Sequence, residues 1–286
     1  MAPQIVLMTG CSSGIGLATA KCLALDIDQR YIVIATVIEM SEKTDLEAAV
    51  SGALDKTVFI EKLDVTKDEE IAAVVDGTLK KYGRIDVLLN VAGMAMSGLP
   101  ERLTRERMEM IFNVNVFGAI RLTQAVLPQM KTRKAGKIIT VSSIAGRMGW
   151  PYTEIYCSTK FAVEGYFEGL ATVLRSFNIR VCLVEPGKVN TGLTDQLHAG
   201  FVSGAQGDSV DDIDRRQLRY LDDYLKAMPG ATPDAVAEAI KTRCLDVDEP
   251  VLRHLLPVEF HDAVPAGAAD ITGETVIGIM AKSIGN

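Results

Sequence analysis

The chain has 286 residues, 48% hydrophobic and 23% charged, which supplies a core for one large domain and excludes wholesale disorder. A formal net charge of −7 opposes nonspecific attraction to nucleic acid or to an anionic membrane surface, so neither is an expected partner. The five cysteines, Cys11, Cys22, Cys157, Cys182 and Cys244, are scattered without a C-x-x-C pair, which predicts reduced thiols and a cytoplasmic protein rather than a disulfide framework.

In chain order, an apolar strand over 5–8 comes first, with no basic leader before it and no apolar stretch of about 18 residues after it, so neither a signal segment nor membrane insertion is expected. A helix over 15–25, a strand over 31–35, a helix from 45 and a strand over 58–63 follow. Next come a helix over 69–82, a strand over 87–89, a long helix over 104–130, a strand over 137–141, a helix over 156–177 and a strand over 180–184. The strands are almost wholly apolar, as strands covered by helices on both faces must be. This alternation predicts a single doubly wound, parallel, Rossmann-type α/β sheet, with 1–286 as one domain. Past Thr191 the rhythm weakens. A polar stretch over 200–214 leads to a short amphipathic helix carrying Ile213, Leu218, Leu221, Tyr224 and Leu225, so 192–230 is expected to form a small helical substrate lid. Thr232 and Pro233 are a cap and first-turn pair that open a helix through 243; from about 264 onward no element is assigned.

The first strand runs into Thr9-Gly10-Cys11-Ser12-Ser13-Gly14-Ile15-Gly16 and then a helix. Glycine at such a turn lets the backbone approach a pyrophosphate, and the free N–H groups of the first helical turn attract its charge. Gly10, Ser12, Ser13, Gly14, Ile15 and Gly16 are therefore candidate cofactor-binding residues.

Tyr156 and Lys160 stand four apart at the start of a helix and so share a face. A phenol ionises near pH 10, too high for proton transfer at neutral pH, and an adjacent ammonium is expected to lower that value. The same pair is common on helix surfaces; its surroundings give it meaning. Ser143 ends the preceding strand, where a parallel sheet presents its ligands, and its hydroxyl suits a substrate oxygen. Asn115 falls inside a long helix, a poor place for asparagine unless its side chain bonds locally.

Taken together with Leu63-Asp64-Val65, Asn90-Val91-Ala92-Gly93 and Pro186-Gly187-x-Val189-x-Thr191, these residues give the first 195 or so positions a close resemblance to the short-chain dehydrogenase/reductase family. The resemblance implies an NAD(P)-dependent enzyme in which Tyr156 exchanges a proton with a carbonyl or alcohol oxygen that Ser143 polarises. It implies that Lys160 bonds the nicotinamide ribose and Asn115 positions a relay water. Asp64, with Val65, is implied to contact adenine, Asn90, Ala92 and Gly93 to pack near the adenosine ribose, and Pro186, Gly187, Val189 and Thr191 to hold the nicotinamide end. A homodimer or homotetramer through helices 104–130 and 156–177 is implied as well. Val91 departs from the family's second asparagine, which removes one supporting hydrogen bond.

Val37 stands where NAD enzymes of the family carry aspartate and Ile38 where many NADP enzymes carry arginine; the lack of a cation, with Glu39 close by, leans to NAD over NADP. The chain is most similar to the branch containing estradiol 17β-dehydrogenase type 1 and retinol dehydrogenase, which implies an apolar secondary alcohol or ketone, a 17β-hydroxysteroid such as estradiol first. Met94, Met148, Trp150 and Tyr152 follow strand ends and are the expected substrate wall. The alternatives are retinol, a small keto compound or an acyl thioester, or, in another class, a non-catalytic NAD(P)-binding regulator. His198, His254 and His261 show no metal-ligand spacing with one another or with the cysteines, so no metal is expected. Cys157 is read as an inert buried thiol.

Overall fold

The computed structural model describes residues 2–256 and 262–285; His261 lies outside them. The chain forms one seven-stranded, wholly parallel sheet in the order β3-β2-β1-β4-β5-β6-β7. The strands are β1 (Gln4–Met8), β2 (Tyr31–Val37), β3 (Val58–Lys62), β4 (Val87–Asn90), β5 (Gly136–Val141), β6 (Ile179–Pro186) and β7 (Arg253–Leu256). Six match the strands expected from the sequence to within two residues at each end. The seventh is too short and too interrupted by His254 to show a period; pairing with β6 makes it a strand.

Alternation along each strand sends side chains to two apolar layers. On β6, Cys182 and Val184 join a layer with α1 (Gly14–Ala24), α2 (Thr44–Ala49) and α9 (Pro233–Ile240). Val181 and Leu183 join the opposite layer with α3 (Asp68–Tyr82), α5 (Ala119–Arg133) and α6 (Glu154–Leu174). The sheet order reverses between β1 and β4, and ligands of open parallel sheets sit at the carboxyl edge of such a reversal.

Three helical expectations need correction. The long helix over 104–130 is α4 (Arg105–Phe112), a π-turn (Asn113–Gly118) and α5 in one run. That run is long and apolar enough to cross a membrane by length and composition, against the expectation that no such stretch exists. Its Leu122, Val126 and Met130 are fully buried against the sheet, the behaviour of a core helix. After β6 the chain is already helical: α7 (Gly192–Gly204) takes in the start of the stretch read as polar, and α8 (Asp212–Ala227) folds back on it. Ile213, placed on the apolar face of α8, is 56% exposed, whereas Leu218 and Leu221 are buried. The end of the chain adds α10 (Ala263–Ala269) and α11 (Glu274–Lys282).

Candidate active site

The exits of β1 and β4 are tied together by one hydroxyl: Thr9 Oγ1 accepts hydrogen bonds from the backbone N–H groups of Val91 and Ala92, each at 3.0 Å. Gly10 adopts φ +69°, and a Cβ there would stand 2.9 Å from the Ala92 backbone; a Cβ on Gly16 would fall 1.9 Å from the Gly10 carbonyl oxygen. Only glycine permits this packing of the α1 start onto the turn. Ser13 precedes α1 without a side-chain cap and no acid stands in the first turn, which leaves the positive helix end open toward an anion.

A cleft of about 570 Å³ runs from this turn to Tyr156. Gly10, Ser12, Ser13, Gly14, Ile15, Gly16, Asp64, Val65, Ala92, Gly93, Pro186, Gly187, Val189 and Thr191 all line it. The close glycine contacts and the uncapped helix end fit a pyrophosphate-bearing dinucleotide, and Ser143, Tyr156 and Lys160 line the same cleft.

Ser143 accepts a hydrogen bond from the Ala145 N–H at 3.1 Å, which starts a short helical turn and holds its hydroxyl toward Tyr156. Burial pushes the Tyr156 phenol up to about 12, with the hydrogen bond to Ser143 pulling it partly back. The expected lowering by Lys160 is therefore not found: desolvation raises the phenol and the lowering comes from Ser143. The Lys160 ammonium stands 5.8 Å from the Tyr156 ring centroid and donates to the Val141 carbonyl at 3.1 Å. Its own burial pulls it down to about 8, against the charge of Glu164 one turn further on. Glu164 belongs to a buried ionic cluster under the site, where Arg253 contacts both Glu164 (3.0 Å) and Glu185 (3.2 Å) and Arg147 contacts Glu185 (3.1 Å). Burial, with Glu164 close by, pushes Glu185 up to about 7.

Asn115 does sit where the helix opens: it lies in the π-turn, a local irregularity that recurs at functional sites. Its side chain stands behind the cleft wall, accepting from the Met94 N–H and donating to the Met94 carbonyl, both at 2.9 Å, and to Thr159 Oγ1 at 3.1 Å. It locks the loop after β4 to α6.

Other placements differ from expectation. Val37 is buried in the core because strand alternation turns it inward; Ile38 and Glu42 line the cleft instead. Asn90 is buried too, donating to Thr123 and Thr140 rather than lining the cleft. Met94 and Trp150 line the cleft as expected. Met148 does not: it packs against Val264 and Met280 of the C-terminal helices. Tyr152 does not either, since its hydroxyl bonds Asp214 and Gln217 and so anchors α8. Cys157 is a buried thiol that accepts from the Trp150 N–H, as its inert reading requires.

The apolar wall beyond Tyr156 comes from Leu193, Leu197 and Phe201 of α7, which were not singled out in the sequence, with Leu221 and Leu225 of α8, the amphipathic helix expected in the lid. The spacing of 193, 197 and 201 is a helical stripe that marks one face of α7. His198 joins the two helices, its Nδ1 2.6 Å from Asp222 Oδ1, and Lys188 donates to the Leu225 and Met228 carbonyls, both at 2.8 Å, at the end of α8.

This geometry agrees with what comparison with known proteins finds. The family model for short chain dehydrogenase matches residues 4–200. The chain is 39% identical to human retinol dehydrogenase 8 over 96% of its length and 88% of the relative's. It is 41% identical to a 3-ketodihydrosphingosine reductase of Bacteroides thetaiotaomicron over 78% of its length and 77% of the relative's. With mouse 17-beta-hydroxysteroid dehydrogenase type 1 it shares 35% identity over 98% of its length and 81% of the relative's. Among solved structures, a short-chain dehydrogenase from Streptomyces avermitilis superposes with a TM-score of 0.79 at 30% identity, covering 100% of this chain and 99% of that one. ElxO with NADP bound gives 0.73 at 25% identity, covering 91% and 99%. The chain belongs to the short-chain dehydrogenase family, and is an oxidoreductase that uses a nicotinamide dinucleotide.

Proposed function

We propose that this enzyme interconverts an apolar secondary alcohol and its ketone, with a 17β-hydroxysteroid such as estradiol as the first candidate. The observation that carries this reading is the apolar wall of Met94, Trp150, Leu197, Phe201 and Leu221 in the same cleft as Tyr156. A ligand with one polar oxygen and an otherwise apolar body fits such a wall, because every buried polar atom without a partner costs affinity.

A bound nicotinamide supplies or accepts the hydride. Tyr156 exchanges a proton with the substrate oxygen, and Ser143 gives that oxygen a second hydrogen bond. Lys160, buried in the cleft beside Tyr156, is the residue to hold the nicotinamide ribose. Asn115 positions the Met94 loop beside them. At the adenosine end Glu42 lines the cleft, and the nearby cation Lys62 is held by Glu39 at 3.0 Å and by Glu70, which favours NAD over a 2′-phosphate. We place a homodimer or homotetramer on α4–α6, which leave Met110, Phe117, Phe161 and Val173 exposed, and we place the protein in the cytoplasm, where its five free thiols stay reduced.

The test is a panel of estradiol, retinol and simple secondary alcohols offered with NAD and with NADP separately, read by the absorbance of the reduced nicotinamide. Turnover of estradiol with NAD is expected. Turnover of retinol alone moves the substrate to a primary alcohol, faster turnover with NADP reverses the cofactor reading, and silence with every apolar alcohol overturns the substrate class.

A further inference from the structure

Outside the lining of the cleft, on the face of the sheet covered by α1 and α9, three metal-ligating side chains meet that are distant in sequence. Cys182 lies on β6, and His254 on β7 is in register with Val184, so alternation sends both to the same face. Cys244 comes down onto that face from the π-turn (Lys241–Leu245) after α9. Their ligand atoms, two sulfurs and one imidazole nitrogen, lie within 4.8 Å of one another. The absence of metal-ligand spacing in the sequence is therefore corrected: pairing of β6 with β7 makes the spacing.

Several features mark this as more than thiols in a core. Cys182 and Cys244 are fully buried and His254 is 8% exposed, yet His254 Nε2 has no hydrogen-bond partner. A buried imidazole nitrogen without a partner carries a desolvation cost that a bound cation removes. The turn that carries Cys244 is held rigidly: Lys137 Nζ donates to the carbonyls of Cys244, Leu245 and Val247 at 3.0, 2.7 and 2.6 Å. No further His, Cys, Asp or Glu joins the group among the described residues.

We propose that Cys182, Cys244 and His254 form a closed, three-coordinate site for a thiophilic monovalent cation, Cu(I), that ties β6 and β7 to the turn after α9. Trigonal ligation at metal–sulfur distances of about 2.3 Å sets ligand atoms roughly 4.0 Å apart, so the cluster closes by less than about an ångström. Two thiolates and a neutral imidazole around Cu(I) leave one negative charge, and the ammonium of Lys137, reaching from β5 to the same turn, lies close to it. Zn(II) would lack its usual fourth ligand here. Soft thiolate ligands favour Cu(I) and Zn(II) over hard cations, and a set of three donors falls short of the zinc tetrahedron. Binding releases two thiol protons to solvent and involves no change of oxidation state.

The experiment is an anaerobic titration of the full reduced chain with Cu(I) held by a competing chelator, bicinchoninate. One Cu(I) per chain is expected. Cys182→Ala, Cys244→Ala and His254→Phe should each weaken binding by more than the roughly 10–100-fold that loss of an outer-shell partner costs, whereas Cys22→Ser, a control on the outer side of α1, leaves it unchanged. Because a core variant can fail to fold, the copper absorption edge of the loaded wild-type chain is read in parallel, where two sulfurs and one nitrogen are expected. A rise of several degrees in the thermal midpoint on loading should accompany it. No retained copper, an all-sulfur edge, binding that survives in the three variants, or Zn(II) binding more tightly than Cu(I) would each overturn the assignment.

Discussion

The two halves of the cleft are built in different ways. At the dinucleotide end backbone meets backbone: Gly16 on the Gly10 carbonyl, Gly10 on the Ala92 backbone, Thr9 on two amides of the β4 exit. At the substrate end, side chains on α7 and α8 form the wall, and those helices hang from polar ties made by His198, Tyr152 and Lys188. A backbone cradle is all-or-none, because no rotamer change relieves a misplaced main chain, whereas a wall of side chains can be reshaped one methyl at a time. One spot of the second half obeys the first rule: a Cβ on Gly200 of α7 would stand 2.0 Å from Ser97 Oγ and 2.7 Å from its carbonyl. The docking of α7 is thus fixed even though its apolar face is adjustable.

The largest effect expected from this contrast is at Gly16. Gly16→Val should abolish dinucleotide binding, measured by calorimetry, because the side chain has no direction in which to escape; near-normal affinity would mean that close backbone packing does not build this half. Next, Tyr156→Phe should leave dinucleotide affinity intact and lower kcat by about 10²–10⁴-fold. Activity close to wild type in that variant would remove Tyr156 from the chemistry.

The third effect is on stability and runs with pH. Lys160 is 6% exposed and burial holds its folded value at about 8, below the ordinary 10.5, so at neutral pH the folded state carries the cost of a buried charge. That cost fades as pH rises from about 8 and is gone above 10.5, because by then the unfolded chain has lost the same proton. Lys160→Met should therefore be more stable than wild type at pH 7 by up to ~3 kcal/mol, roughly 10²-fold in the folding constant, with the gap closing by pH 10.5 in urea melts. A gap independent of pH would contradict it. The smallest effect belongs to the adjustable wall. Leu225→Ala, at a half-buried position lining the cleft, should raise KM for an apolar alcohol about tenfold at unchanged kcat for small alcohols. Equal losses for all substrates would show that α8 shapes the catalytic residues and not the pocket alone.

Much of the architecture was legible because it obeys local rules. Apolar runs of strand length between amphipathic segments gave six of the seven strands, and the glycine spacing gave the turn that opens α1. The strand β7 was not legible, since four residues containing an arginine and a histidine have no period of their own; β6 supplies the template. The loop residues were misjudged for a related reason. Met148 and Tyr152 are as apolar and as close to the strand ends as Met94 and Trp150, and only the arrival of α10, α11 and α8 draws the first two away from the cleft.

By itself the sequence determined the alternation of strands and helices, the glycine-built turn and the presence of Tyr156, Lys160 and Ser143, because hydrophobic period, backbone freedom and residue chemistry are written at each position. Tertiary structure alone decided which side chains face the cleft, that burial and not Lys160 sets the acidity of Tyr156, and that Cys182, Cys244 and His254 share one place. Orientation, desolvation and proximity depend on what packs against a residue, and that neighbour is contributed by chain far away in sequence.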